Sequence, residues 1–207
     1  MMYSLDIIGT VIFAVTGALA AGRKHFDIFG VVVVSLATAL GGGTIRDVTL
    51  GSLPVFWVSQ PVYIIVAVAA ALATVVVARF RRLPDGLLNV ADAFGLAVFT
   101  VIGTERALAA GAGPLVAVLM GMATGVAGGM VRDIFTGEVP LILRREIYAT
   151  ASLCGAAVFV GIAAFCPSHC AHAFVSMVVT LGLRLAALRW NLSLPHFFPK
   201  GTSDAGR

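Results

Sequence analysis

The chain has 207 residues, of which 59% are hydrophobic and only 12% charged, and its mean hydropathy is +1.01. So few polar side chains cannot cover a water-soluble globule of this size, and the composition indicates an integral membrane protein. The formal charge of +4 does not indicate nucleic-acid binding, because basic residues in such a protein usually mark cytoplasmic loops. We therefore expect membrane lipids, and no nucleic acid, as partners.

Seven apolar segments are each long enough, at about 20 residues, to cross about 30 Å of hydrocarbon. In chain order they cover roughly residues 4–21, 28–50, 61–79, 90–108, 113–135, 147–165 and 170–188. Beyond Trp190 the helical pattern is lost. The sequence predicts an all-α membrane protein with seven transmembrane helices and a flexible cytoplasmic tail over 191–207.

The 14 Lys and Arg residues are divided unequally between the two sides of the membrane. Eleven fall in the first, third and fifth connections or near the C-terminus, and Arg184 is one of these. Arg106 alone falls on the other side, while Arg46 and Arg132 lie within spans. Because cytoplasmic loops carry the excess of basic residues, we expect the N-terminus outside and the C-terminus in the cytoplasm, in the inner (plasma) membrane.

An internal repeat relates the two halves of the chain at a constant offset of 86 residues. The glycine-rich element ending in Arg46 and Asp47 recurs in the element ending in Arg132 and Asp133. The same offset pairs Asp6 with Asp92, Gly9 with Gly95, Phe13 with Phe99, Gly17 with Gly103, Thr38 with Thr124, Gly51 with Gly137 and Pro54 with Pro140. Chance similarity between apolar segments would match Ala, Val and Leu instead, so the chain contains a duplication.

Each copy of the duplicated unit contains three spans, and an odd number of spans places the second copy in the membrane upside down. We predict a first three-helix repeat over 1–88, a second, inverted repeat over 89–167 and an additional seventh helix over 168–190. Inverted repeats of three plus three spans are typical of secondary transporters and of some channels.

Glycines cluster in the second and fifth spans. Each adjacent glycine lowers helix preference by about 1 kcal/mol, so both spans are predicted to be broken near 41–43 and 127–129. Backbone groups freed by a break cannot face lipid and must face protein or a water-filled cavity. The candidate pore residues in these two elements are Gly41, Gly42, Gly43, Thr44, Gly128 and Gly129.

Four charged residues follow these glycines by about one helical turn: Arg46, Asp47, Arg132 and Asp133. Each costs at least about 2.5–3.5 kcal/mol inside a membrane, so they are expected to be paired or to line an aqueous path. Two interpretations remain open. In the first, these charges line or gate a pore. In the second, they form ion pairs across the repeat that only hold the helices in shape. Asp6 and Asp92, near the starts of spans one and four, are better explained as helix N-terminal acids.

Several other residues suit structural roles. Gly121 and Gly125, spaced with Gly128 along one helix face, predict close packing or subunit contact. Tyr63 and Tyr148 lie near span ends, as interfacial aromatic residues do. The threonines of the spans are each expected to bond a carbonyl of their own helix, or to help solvate an ion.

No nucleophile–base set, phosphate loop or paired metal motif occurs in the sequence, so we expect neither an enzyme nor a cofactor or metal. Cys166 and Cys170 could form a disulfide or a weak metal site, or remain unpaired thiols at a helix end.

The glycine and Arg-Asp elements, the three-plus-three repeat and the seven spans together resemble the prokaryotic members of the TRIC (trimeric intracellular cation) channel family. The resemblance covers about residues 4–188. It implies a homotrimer with one pore in each subunit around the second and fifth helices, and permeation of monovalent cations with potassium as the main ion. The same family has also been assigned to glycine transport, so a small amino acid transporter with a midplane site at the same helices remains the alternative.

Overall fold

The computed structural model describes residues 2–84, 86–144, 147–165, 169–190 and 192. These residues are helical or connecting, with no strand among them. In chain order the described helices are α1 (Met2–Arg23), α2 (Ile28–Thr49), α3 (Phe56–Ser59), α4 (Val62–Phe80), α5 (Leu87–Ala109), α6 (Pro114–Phe135), α7 (Leu141–Arg144), α8 (Ala149–Phe165) and α9 (His169–Trp190).

Six of these helices, α1, α2, α4, α5, α6 and α9, are long and apolar enough to cross a membrane, and α8 is a shorter apolar helix of 17 residues. The predicted all-α membrane fold with seven spans is therefore confirmed, and the predicted ends lie within about three residues of the observed ones. The one-turn helices α3 and α7 lie in two of the connections. The predicted tail and Cys166 lie outside the described residues, apart from Leu192.

The second and fifth spans, α2 and α6, end in the same way. Each has 22 residues, and the amides of Leu50 and Thr136 donate to the carbonyls of Arg46 and Arg132. A glycine with positive φ then turns each chain, Gly51 at 68° in the first copy and its equivalent at 67° in the second. Glycine suits both turns, because a side chain is strained in that conformation.

The helices of the two copies correspond one to one: α1 to α5, α2 to α6, α3 to α7 and α4 to α8. The offset of 86 holds through the ends of α2 and α6. It becomes 85 afterwards, since α3 begins at Phe56 and α7 at Leu141, while α4 ends at Phe80 and α8 at Phe165. The second copy is thus one residue shorter after its proline, and α9 has no counterpart. The domain boundaries at 88, 167 and 190 stay predictions.

Equivalent helices run antiparallel where they meet, as an inverted repeat requires. Gly42 of α2 lies against the carbonyl of Thr124 of α6, and Gly128 of α6 lies against the carbonyl of Thr38 of α2. Under the offset of 86, position 42 corresponds to position 128, and position 38 corresponds to position 124. These two contacts are therefore one contact repeated by a pseudo-two-fold axis between α2 and α6.

The prediction that α2 and α6 are broken at their glycines is wrong, since both helices continue through 41–43 and 127–129. A break in the hydrocarbon would leave several backbone groups unsatisfied at several kcal/mol each, more than the about 1 kcal/mol of preference that each glycine removes. The glycines instead allow close approach. A Cβ at Gly42 would overlap the Thr124 carbonyl oxygen, and one at Gly128 would lie 2.7 Å from the Thr38 oxygen.

Two phenylalanines meet on the same axis. The rings of Phe13 (α1) and Phe99 (α5) stack with centroids 5.0 Å apart, and both side chains are buried. Gly9 lies against the Phe99 ring and Gly95 against the Phe13 ring, so the aromatic pair is also symmetric. The centre of the molecule is therefore a layer of two rings enclosed by helices that approach closely at glycines.

Gly121 and Gly125, the predicted packing residues, lie against α5 within the same subunit. A Cβ at Gly125 would lie 2.8 Å from the Thr100 hydroxyl, and one at Gly121 would overlap that of Thr104. Small residues let two helix backbones approach closely in a membrane, where apolar burial does not drive helices together. The small-residue face therefore serves the contact between α5 and α6.

Gly42→Ala tests the close-approach role of the glycines. The added Cβ would overlap a backbone oxygen, and overpacking typically costs about 1–3 kcal/mol, which outweighs about 1 kcal/mol of gained helix preference. We expect a lower unfolding midpoint for the purified protein in detergent. Gly161→Ala in α8 is the matched control, because nothing lies within 4 Å of its Cβ position; it should leave the midpoint unchanged or raised. Equal midpoints for the two variants would contradict this role.

Candidate functional site

Two clusters of buried polar side chains lie at the ends of α2 and α6. The first-repeat cluster consists of Asp6 (α1), Arg46 and Asp47 (α2) and Tyr63 (α4). The second-repeat cluster consists of their equivalents, Asp92, Arg132, Asp133 and Tyr148. All eight side chains are buried. Each cluster thus gathers two acids, one arginine and one phenol from three spans or their ends.

In the second-repeat cluster, Arg132 is paired with two acids. Its Nη1 donates to Asp92 Oδ1 at 2.6 Å, and its Nε donates to Asp133 Oδ1 at 2.9 Å. The Tyr148 hydroxyl donates to Asp92 Oδ1 at 3.4 Å. Arg132 is 0% exposed, and the second carboxylate oxygen of Asp92 has no hydrogen-bond partner. The cluster is therefore a buried network centred on one guanidinium.

The first-repeat cluster lacks one of these contacts. Arg46 Nε and Nη2 lie 2.8 and 2.7 Å from Asp47 Oδ1, and the Tyr63 hydroxyl donates to Asp6 Oδ2 at 3.3 Å. Arg46 Nη1 and Asp6 Oδ1 are both buried without a hydrogen-bond partner, and no ion pair joins these two side chains. Asp6 is therefore a buried carboxylate that its arginine does not neutralise directly, unlike Asp92.

The acid next to each arginine also fixes the following loop. Asp47 Oδ2 accepts from the Phe56 amide at 2.8 Å, at the start of α3, and Asp133 Oδ2 accepts from the Leu141 amide at 2.9 Å, at the start of α7. A carboxylate at a helix N-terminus satisfies an amide that would otherwise be unpaired. Each Arg-Asp pair therefore couples a span to the short helix that follows it.

The two clusters lie at opposite ends of the α2 and α6 pair. The helices cross near residues 40 and 126, and Arg46 and Arg132 each lie about six residues, or about 9 Å, beyond that point in opposite directions. The arginines are thus about 18 Å apart along the helix axes. The ion pairs form within each copy, so the predicted neutralisation across the repeat is wrong: the inverted repeat places equivalent charges on opposite sides.

Thr44, Gly41 and Gly43 surround the first-repeat cluster without joining its ion pairs. The Thr44 hydroxyl donates to the Leu40 carbonyl at 2.7 Å and accepts from the indole of Trp57 at 3.0 Å. A Cβ at Gly43 would lie 2.5 Å from the Phe56 ring, whereas one at Gly41 would meet α6 at Val131. A part in a pore stays a prediction for all three residues.

Gly129 lies inside the second-repeat cluster. A Cβ at this position would lie 2.7 Å from the Tyr148 hydroxyl and 3.1 Å from Asp92 Oδ1. The absence of a side chain at Gly129 therefore makes room for the contact between the phenol and the acid.

Four residues have roles that the sequence did not indicate. Asp6 and Asp92 are members of buried ion clusters rather than helix N-terminal acids, and Tyr63 and Tyr148 are buried partners of these acids rather than interfacial residues. A signal existed for the tyrosines. They are equivalent at the offset of 85, which applies after the one-residue shortening, and a search at 86 alone cannot find them.

The seventh helix places a charged side chain beside the second-repeat cluster. Arg184 of α9 is buried, and its guanidinium carbon lies 4.8 Å from the centre of the Tyr148 ring, a cation–π contact. Because Arg184 lies near the C-terminal end of the last span, the sequence indicated a charge on the cytoplasmic side of the membrane. The structure instead places its side chain against the second-repeat cluster. No signal in the sequence distinguishes a loop arginine from a buried one at a helix end.

A cavity of about 280 Å³ leads to the second-repeat cluster, and Arg132 and Asp133 form part of its wall. Lys24, which follows α1, and Glu138, which follows α6, also line it and form an ion pair with each other. Both side chains are partly exposed, so this pair contributes little stability. The second-repeat cluster thus borders a cavity that has charged side chains in its wall.

Among the described residues, no group of three His, Cys, Asp or Glu is placed to hold a metal ion. The chemistry available in the clusters is the binding of charge by buried carboxylates, guanidinium groups and hydroxyls. The fold and the clusters together define a multi-pass membrane protein built as an inverted repeat around paired buried charges.

Comparison with known proteins identifies the family. A family model described as "Glycine transporter" matches residues 3–79 and 89–164, which are the two repeats. The UPF0126 inner membrane protein YadS of Escherichia coli is 50% identical over 95% of this chain and 96% of that protein. A UPF0126 membrane protein of Vibrio cholerae is 44% identical over 95% of this chain and 83% of that protein.

Solved structures agree with these relatives. The structure of a TRIC trimeric intracellular cation channel orthologue from Rhodobacter sphaeroides superposes with a TM-score of 0.89 at 46% identity, covering 92% of this chain and 98% of that one. A second structure, described as a basis for conductance through TRIC cation channels, gives 0.86 at 36% identity over 96% and 98%. The chain belongs to the family that the glycine transporter model describes, and the resemblance of its sequence to the prokaryotic TRIC channels is confirmed.

Arginine-to-methionine variants test which acid each arginine pairs with. Arg132→Met should lower the free energy of unfolding by about 3–5 kcal/mol, because it leaves buried acids unpaired. Arg46→Met should cost less, since Arg46 contacts one acid and not two. Adding Asp92→Asn should recover part of the Arg132→Met loss in detergent unfolding experiments. Adding Asp133→Asn to Arg46→Met should be additive within about 0.5 kcal/mol, and a larger coupling would contradict pairing within each copy.

Proposed function

We propose that the protein is a channel for monovalent cations, with potassium as the main ion, and that it assembles as a homotrimer with one pore in each subunit. The similar solved structures support this proposal, since they are described as TRIC cation channels and one of them as trimeric. The observation that carries it is the pair of buried clusters. Each contains two acids and one arginine, and the two occupy opposite ends of the crossed α2 and α6 helices.

The charge of the clusters favours cations. With its acids ionised, each set of two acids and one arginine carries a net charge of about −1, in surroundings of low dielectric constant where charges act strongly. Acidic groups at the ends of a pore raise the local concentration of cations. Arg46 and Arg132 do not oppose this, because Asp47 and Asp133 neutralise them at contact distance.

The layer between the clusters determines whether ions pass. The stacked rings of Phe13 and Phe99 occupy it, and both are 1% exposed. A constriction formed by apolar side chains excludes water and thereby stops ions. In the proposed channel this arrangement is the closed state, and conduction requires the two rings to separate.

Hydroxyl and carbonyl groups beside the rings suit an opened path. Thr38 and Thr124 each donate to a carbonyl of their own helix at 2.6 Å, and both are buried beside the glycine contacts. A hydroxyl that donates in this way still has a lone pair to offer to a cation. The central layer therefore contains neutral oxygen ligands but no fixed charge.

Removal of one ring tests the gate. Phe13→Ala should raise potassium flux into vesicles containing the purified protein several-fold, because the plug loses half of its apolar surface. Phe159→Ala in α8 is the matched control: Phe159 is equally buried but packs on His172, away from the axis. Both changes should cost a similar about 3–5 kcal/mol of stability. Flux that rises equally in both variants, or in neither, would count against a central gate.

A small amino acid transporter remains a second candidate, because the matching family model is described as a glycine transporter. The free Nη1 of Arg46 and the free Oδ1 of Asp6 suit a carboxylate and an ammonium group, the two charges of glycine. Inverted repeats also support alternating access. Robust uptake of radiolabelled glycine by vesicles that show no potassium flux would establish this function instead of the channel.

The N-terminus lies outside the cell in the proposed orientation, which rests on the distribution of Lys and Arg. The first-repeat cluster is then at the outer end, and the cavity beside the second-repeat cluster opens to the cytoplasm. Single cysteines at positions 24 and 112 test this in whole cells. A membrane-impermeant thiol reagent should label position 112 and spare position 24, and the reverse pattern would invert the proposed orientation.

A further inference from the structure

The two arginines bind different numbers of acids, although the two clusters have equivalent members. Arg132 pairs with both acids of its cluster, whereas Arg46 pairs with Asp47 and not with Asp6. Because the acids, arginines and phenols correspond one to one, the difference has to arise from the residues packed around them.

The residue that begins the short helix after each of these two spans differs between the copies. It is Phe56 at the start of α3 and Leu141 at the start of α7. The backbones are placed alike, since each amide donates to the Asp beside the arginine of its copy, at 2.8 and 2.9 Å. Only the aromatic side chain has a face that attracts a cation. The exchange of a ring for a leucine is therefore a candidate cause of the difference in pairing.

The Phe56 ring lies against the backbone of α2 at Gly43. The three atoms nearest to a Cβ at Gly43 all belong to this ring, at 2.5, 3.0 and 3.2 Å. At the equivalent Gly129, the nearest atoms are the Tyr148 hydroxyl at 2.7 Å and Asp92 Oδ1 at 3.1 Å. The place beside this glycine therefore holds an acid and a phenol in the second copy and an aromatic ring in the first.

The same ring contacts the arginine and the phenol of the first-repeat cluster. The guanidinium carbon of Arg46 lies 5.5 Å from the centre of the Phe56 ring, within the range of a cation–π contact. The Tyr63 ring meets the Phe56 ring edge to face, with centroids 4.7 Å apart. Phe56 is thus in contact both with the arginine whose pairing differs and with the phenol that donates to Asp6.

We propose that Phe56 is a positioning residue that determines which acids Arg46 binds. Its ring fills the space beside Gly43 and contacts the guanidinium, so the first-helix acid, Asp6, cannot approach α2 as its equivalent approaches α6 in the second copy. When the ring is removed, Arg46 bridges to Asp6 and keeps its first partner. The first-repeat cluster then has the same pattern of ion pairs as the second.

The role of Phe56 in conduction, unlike its role in pairing, rests on the proposed channel. With the clusters at the two ends of a pore, the side chains at each end have to part for an ion to enter. An arginine bridged to two buried acids resists this movement, because separating buried partners leaves their charges uncompensated. By restricting Arg46 to one acid, Phe56 lowers the cost of opening the first-repeat end.

The crystal structure of a Phe56→Leu variant tests the pairing directly, and leucine is the residue that the second copy has at this position. The Arg46 guanidinium should lie within hydrogen-bond distance of Asp6, as in the equivalent pair of the second copy, where the distance is 2.6 Å. An Arg46 that keeps its present position, with water or a neighbouring side chain in the space of the ring, would overturn the proposal.

A double-mutant cycle measures the same change in solution. Arg46→Met and Asp6→Asn are made singly and together, and their effects on the unfolding equilibrium constant in detergent are compared. The factor by which these effects depart from additivity should be about tenfold larger in a Phe56→Leu background than in the parent. Trp57→Leu is the control background, because this neighbouring ring of α3 contacts Thr44, and there the factor should equal that of the parent. A factor that does not grow in Phe56→Leu, or that grows equally in both backgrounds, would contradict a specific role of the Phe56 ring.

Potassium flux into vesicles separates this inference from the proposed function. Phe56→Leu should conduct several-fold less than the parent, whereas Phe80→Leu, the same change at an exposed position at the end of α4, should conduct equally. Undiminished flux in a Phe56→Leu variant whose Arg46 is bridged would refute the role in conduction and leave the channel standing. A parent without flux would refute the channel, and the crystal structure and the cycle would still decide the pairing.

Discussion

The close antiparallel crossing of α2 and α6 is the constraint on which the rest of the structure depends. Gly42 and Gly128 each admit a carbonyl of the other helix, at Thr124 and Thr38, so the two backbones meet without side chains between them. That contact fixes the pseudo-two-fold axis. The axis then places the phenylalanine stack at the centre and the two Arg-Asp pairs at opposite ends. There each pair lies in a cluster with the first-helix acid and the tyrosine of its own repeat, and its Asp accepts from an amide of the connection that follows.

The sequence predicted the spans and the repeat because both leave a pattern along the chain itself. Apolar length defines each span, and a duplication leaves Gly, Asp and Arg at a constant offset. Two other predictions failed because they depend on which residues of another helix lie opposite a given residue in the folded protein. Glycines lower helix preference in either case, but only the facing Thr124 carbonyl shows that Gly42 allows contact and not a break. The partner of Arg132 could not be found either, since Asp92 is 40 residues away and on another helix.

The seventh helix turns a symmetric molecule into one with two different ends. An inverted repeat alone would give both clusters the same energy and the same contacts. Arg184 contacts the Tyr148 ring of the second-repeat cluster, and Asp92, unlike Asp6, forms an ion pair with the arginine of its repeat. The helix outside the repeat therefore contacts the end at which the arginine pairs with two acids, whereas at the equivalent end Arg46 pairs with Asp47 and not with Asp6.

This asymmetry bears on the choice between channel and transporter. A transporter must exchange two inverted states of comparable energy, each obtained from the other by swapping the conformations of its repeats. Here Arg132 of the second-repeat cluster is buried and pairs with two acids, and α9 contacts the cluster at Tyr148, so opening this end costs the ion pairs of Arg132. The first-repeat cluster can rearrange at Arg46 without losing its contact with Asp47. Unequal ends are compatible with a conduction path that opens when the rings of Phe13 and Phe99 separate and the first-repeat cluster rearranges. They are less suited to a transporter that exchanges two symmetric states.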